Sequence, residues 1–121
     1  MERFFLDKDP RRAAEKCEEG KVEEYIKECA SILCTTLHET RSKIDEYVKP
    51  AKKGNPEAVK WVSDSFSHWR WMWIYGHYLG NKYSKMTKEI HSDTRTLRCL
   101  PVPSNIRKNG WRDPVTKAEA I

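Results

Sequence analysis

No two cysteines of this 121-residue chain stand at CxxC spacing, so the ligand patterns of structural zinc sites are missing. Cys17, Cys29, Cys34 and Cys99 therefore read as the buried thiols of a reduced, cytoplasmic protein. No secretory leader opens the chain, and no apolar run reaches the roughly 18 residues of a membrane span. Glycine-rich phosphate loops, nucleophile elbows and HExxH are all lacking, which speaks against classical nucleotide hydrolases and proteases. There is no strand alternation and no internal repeat. His77 and His91 are 14 positions apart, about 21 Å along a continuous helix, so they cannot share a metal there. No metal and no cofactor is expected.

What is present is helical periodicity. Residues 55–90 hold four of the five tryptophans. Val62, Phe66, Trp69, Trp73, Gly76, Leu79, Tyr83, Met86 and Ile90 recur every three or four positions, the apolar stripe of a long amphipathic helix. The expected fold is all-α: a small single-domain helical bundle built on this Trp-rich helix, with a basic extended C-terminal tail. Residues 1–103 form the domain and 104–121 the tail.

In chain order, Phe4 and Phe5 read as core plugs. Asp9-Pro10 starts a helix to about Glu19, because the carboxylate accepts free N–H groups and proline is tolerated at the first helical position. Gly20 marks a stop or kink. A second helix runs from about Lys21 to Tyr47. Its stripe is Val22, Tyr25, Ile26, Cys29, Ile32, Leu33 and Leu37, continued by Ile44, Tyr47 and Val48. Residues 50–56 carry two prolines and a glycine and form a connection. Asn55-Pro56 opens a short helix to Val62, and Ser63-Asp64 caps the long helix to about Glu89. Gly76 and Gly80 lie inside that helix at a propensity cost of about 1 kcal/mol each, for a bend or a close helix approach. Ser92-Asp93 caps a last helix to about Cys99, before Pro101.

Charge points to a partner. Residues 1–80 hold 14 Lys/Arg against 14 Asp/Glu, while residues 81–121 hold 9 against 4, which accounts for the net +5. A basic segment beside a neutral body suits a phosphate-rich partner. The candidate nucleic-acid contacts are Arg70, Trp71, Lys82, Lys85, Lys88, Arg95, Arg98, Arg107, Lys108 and Arg112. Arg70, Trp71, Tyr75 and Tyr78 fall off the apolar stripe, and exposed aromatics beside arginine are what stacking an unpaired base requires. Cover by the second helix, by the tail or by a dimer partner is the competing explanation. Lys21, Glu24 and Glu28 share one helical face, an amine beside carboxylates, the minimum for acid–base or amine-nucleophile chemistry.

Four stretches also carry a resemblance: FFLDKDPRRAAEKC (4–17), GKVEEYIKECASILCT (20–35), KKGNPEAVKWVSDSFSHWRWMW (52–73) and NKYSKMTKEIH (81–91). Their order resembles a group of small all-helical proteins encoded by tailed bacteriophages. Some members look like DNA base-processing proteins of the pyrimidine-dimer glycosylase or thymine-modification type. The resemblance implies a DNA-binding protein acting on a flipped base in the host cytoplasm, with Glu28 as the acid, assisted by Lys21 or His91. The chain departs from that pattern. The group's Asp-Lys-His cluster is replaced by Glu19, Gly20 and Lys21, and a later Lys by Glu24. Glu28, His91 and Asn55 keep their places. A non-enzymatic accessory protein binding DNA or a host protein, or a helical subunit of a larger complex, is the alternative.

Overall fold

The computed structural model describes residues 4–40, 54–103, 106, 108, 110 and 111. They form an all-α bundle of five helices: α1 Pro10–Lys16, α2 Val22–Glu39, α3 Pro56–Ser63, α4 Phe66–Thr87 and α5 Ser92–Cys99. No strand occurs among the described residues. Helix α4 is central and touches α1, α2, α3 and α5.

The caps follow the local chemistry. Asp9 accepts the Arg11 N–H at 2.9 Å with Pro10 in the first turn. Asn55 accepts from Glu57 and Ala58 at 2.9 and 3.2 Å, again ahead of a proline. Each arrangement satisfies N–H groups that a helix start leaves unpaired. The cap of α4 is Ser65, not Ser63-Asp64. Ser63 is still helical, its Oγ donating to the Val59 carbonyl at 2.7 Å. Ser65 turns extended and accepts from the His68 N–H at 3.4 Å. The cap of α5 likewise is His91, whose Nδ1 accepts the Asp93 N–H at 3.1 Å.

Helix α1 ends at Lys16 rather than at Glu19, followed by extended Cys17 and a 3₁₀ turn over Glu19–Lys21. Gly20 does not make the break. The carbonyls of Ala14, Glu15 and Cys17 instead accept from the Lys82 ammonium of α4, an end closed by a distant side chain. The expected extension of α2 through Ile44, Tyr47 and Val48 lies outside the described residues.

The buried face of α4 is wider than the sequence stripe. His68, Trp69, Trp71, Met72, Tyr75, Gly76, Leu79 and Gly80 are buried, while Trp73 and Tyr83 are half-buried. Met86 and Ile90 are 40% and 48% exposed, so the stripe ends before them. A helix covered by four neighbours buries more than one face, and single-helix periodicity counts only one. Trp71 and Tyr75, expected on outer faces, are core residues: the N-terminal segment covers them. Phe5 stacks on Trp71 with centroids 4.1 Å apart, and Phe4 lies 5.5 Å from Tyr75. The Trp71 indole N–H donates to the Lys8 carbonyl at 2.8 Å.

The glycines of α4 serve close approach. A Cβ on Gly80 would stand 2.6 Å from both Oγ1 and Cγ2 of Thr94 in α5. One on Gly76 would stand 3.0 Å from Leu97 Cδ1 and 3.2 Å from Cys29 Cβ. Trp61 of α3 is the hub of the aromatic core. Its ring stacks on His68 at 4.0 Å and meets Phe5 and Trp111 edge-on at 5.1 and 5.6 Å. The chain returns to this point at its basic end, where Ser65 Oγ donates to the Gly110 carbonyl at 2.6 Å. None of the four cysteines forms a disulfide; Cys17, Cys29 and Cys34 are buried, while Cys99, expected to be buried, is exposed. Burial, helped by Asp93, pushes the Cys34 thiol up to about 11.

Candidate nucleic-acid interface

Beyond Gly80, α4 turns polar: Asn81, Lys82, Ser84, Lys85 and Lys88 replace the apolar pattern. This half still packs beside α1, and the junction leaves an open groove of about 460 Å³. Arg11 and Glu15 line it from α1; Tyr78, Asn81, Lys82 and Lys85 line it from α4. The half-buried Tyr78 ring forms an aromatic wall, and the Arg11 guanidinium lies over it, 5.7 Å from the centroid. Arg11 Nε is 3.5 Å from Glu15 Oε1, with both side chains 64% exposed. Such a pair is worth about 0.5 kcal/mol or less, so Arg11 is readily released.

Lys85, Lys88, Arg95, Arg98 and Lys108 are exposed. Lys88 ends α4 in the left-handed conformation at φ 64°. Arg98 donates to Asn81 Oδ1 at 3.3 Å, tying α5 to the groove. Between Phe66 and Pro103 the chain holds Arg70, Lys82, Lys85, Lys88, Arg95 and Arg98 against Glu89 and Asp93, six cations to two anions. Arg70 is exposed on the first half of α4. Arg107 and Arg112 lie outside the described residues.

Two of the expected contacts have other partners. Trp71 is buried under Phe5 with its N–H satisfied, so it offers no open face for a base. The Lys82 ammonium is held by three carbonyls of the α1 end and reaches the groove only as its floor. Arg11, absent from the sequence expectation, is brought in by the packing of α1 on α4. Its only signal in the chain was its place just inside the Asp9-Pro10 helix start.

The residues expected to carry base chemistry lie on α2, at its start and at the cap of α5. Lys21 Nζ is 3.7 Å from Glu24 Oε2, both exposed. Glu28 is half-buried on α2. His91 is 8% exposed, its Nε2 3.6 Å from Glu23 Oε1 and its Nδ1 engaged in capping α5. Tyr83 meets it edge-on at 5.0 Å. The acidic neighbours of His91 are thus Glu23 and Asp93, whose Oδ2 lies 3.7 Å from Nδ1.

His77 stands at the α5 side of the same helix. Its ring lies parallel to Trp73 with centroids 5.5 Å apart, and its Nδ1 is buried without a hydrogen-bond partner. Burial, with the Arg98 charge, holds its pKa below the usual 6.5. Among the described residues no cluster of three or more His, Cys, Asp or Glu could hold a metal ion, and no helix is long and apolar enough to cross a membrane. No family model matches the chain, and neither a curated protein nor a solved structure shows significant similarity to it.

Proposed function

We propose that this protein binds DNA through the basic surface formed by the second half of α4 and by α5. The carrying observation is the six-to-two excess of cations over residues 66–103. Lys85, Lys88, Arg95 and Arg98 among them are exposed; Lys85 lines the groove, and Arg98 donates to Asn81 of its lining. Phosphate contacts of this kind release counterions and need no base-specific geometry. The base-processing reaction that the phage resemblance implies is not part of this reading. Lys21 has Glu24, and His91 has Glu23 and Asp93, as ionic neighbours.

The test is fluorescence anisotropy on a labelled forked DNA, with a duplex stem and unpaired arms, across a salt titration. The affinity is expected to fall steeply with salt, by about 0.9 in log–log slope for each phosphate contacted. The combined variant Lys85→Glu, Lys88→Glu and Arg95→Glu is expected to abolish binding while keeping the helical circular dichroism. Absence of binding by the unaltered protein at low salt, or affinity indifferent to salt, would refute the reading.

A further inference from the structure

We propose that the groove between α1 and α4 holds one unpaired nucleotide of a DNA strand, with its base against Tyr78 and its phosphate on Lys85 and Arg11. This rests on the DNA-binding reading and adds the form of DNA that is bound. A volume of about 460 Å³ lies within the range of small-molecule sites, of order 300–1,000 Å³, and suits a single nucleotide.

The lining has the two elements that single-strand sites combine, a cationic rim and an aromatic face. Tyr78 is held rigidly by α4, with His77 edge-on at 5.6 Å. Its other neighbour is Arg11, whose flat guanidinium lies where a base would stack. The arginine shows that this ring face is accessible to a planar group. Its link to Glu15 is a solvent-exposed ion pair, so an incoming base displaces it at little cost. Arg11 then swings to the phosphate. Lys85 makes no ion pair among the described residues, so its charge is available from the start. Glu15 is the sole acidic group among the lining residues and repels phosphate from the α1 side. That places the phosphate on the α4 side, near Lys85. Asn81, with amide groups that both donate and accept, stands beside Tyr78's helical turn and can meet a base edge.

The experiment compares a labelled single strand of DNA with the duplex of the same sequence, using the full chain and the variants Tyr78→Ala, Tyr78→Phe and Lys85→Ala. The unaltered protein is expected to bind the strand at least about tenfold more tightly than the duplex. Tyr78→Ala should lose about tenfold on the strand and little on the duplex, since one base stack is removed. Tyr78→Phe, which keeps the ring, should stay within about twofold. Lys85→Ala, on an exposed position that leaves the fold alone, should reduce the salt slope by about one. Equal binding of strand and duplex, or strand binding by Tyr78→Ala within twofold of the unaltered protein, would overturn the inference and leave DNA binding intact. Failure of the unaltered protein to bind either probe would overturn both.

Discussion

Gly80→Ala sets two effects of opposite sign against each other. In an isolated helix the change would stabilise by about 1 kcal/mol, because glycine loses more backbone freedom than alanine. Here the new methyl would lie 2.6 Å from both Oγ1 and Cγ2 of Thr94 and 3.1 Å from its Cβ. Rotating Thr94 about χ1 brings no relief, since two of its three staggered positions are filled by heavy atoms and both already point at the site. Helix α5 must therefore move off α4, disturbing the buried Leu97 and the bond from the Trp73 indole to the Leu97 carbonyl. Overpacking of this sort costs up to about 3 kcal/mol, which leaves a net loss of about 2 kcal/mol. With a urea slope of about 2 kcal/mol/M, the midpoint should drop by about 1 M. Thr94→Ala removes both offending atoms. Alone it should be nearly neutral, because the Thr94 hydroxyl is buried without a hydrogen-bond partner and its loss offsets the lost methyl contact. The double variant should recover most of the stability and show a coupling of about 1–2 kcal/mol. Urea unfolding followed by circular dichroism, with matching slopes for all four proteins, measures the cycle. A stabilised Gly80→Ala, or simple additivity of the two changes, would refute the close-approach argument.

Two further outcomes follow from side chains whose roles are tertiary. Lys82→Met should destabilise the protein by about 1–2 kcal/mol, because the α1 carbonyls lose an ammonium donor. Amide exchange should speed up in α1 before α2, and uniform protection across both helices would argue against that role. Stability should fall as pH drops below 6.5 toward the lowered pKa of folded His77. The unfolded state takes up the proton first in that window, so the contribution is complete above 6.5 and is lost on acidification. His77→Asn should remove that part of the slope in a pH series of melting temperatures. An unchanged slope would show that the imidazole titrates alike in both states.

Much of this architecture was legible in the chain. Asp9-Pro10 and Asn55-Pro56 announce helix starts because a short polar cap and a preset proline φ act within one turn. The bounds of α3 and α5 followed from equally local signals. The groove was half visible: Lys82 and Lys85 stand out as charge, and Tyr78 as an aromatic off the apolar stripe. Arg11 could not be found that way, because nothing in residues 4–17 says that α1 will lie along the polar half of α4. The misplacement of Trp71 has the same origin. Periodicity finds the richest face of a helix, but a helix surrounded by four others buries several, and Phe5 decides the matter from 66 positions away.

What the amino-acid order determined alone is therefore the set of helices, the starts of α1 and α3 and the excess of positive charge, all governed by interactions within a turn or by simple summation. Only the tertiary structure decided where α1 stops, which indole is hidden, that His91 meets Glu23, and that Arg11 covers Tyr78. Those depend on contacts between residues tens of positions apart, whose geometry is set when helices pack and not before.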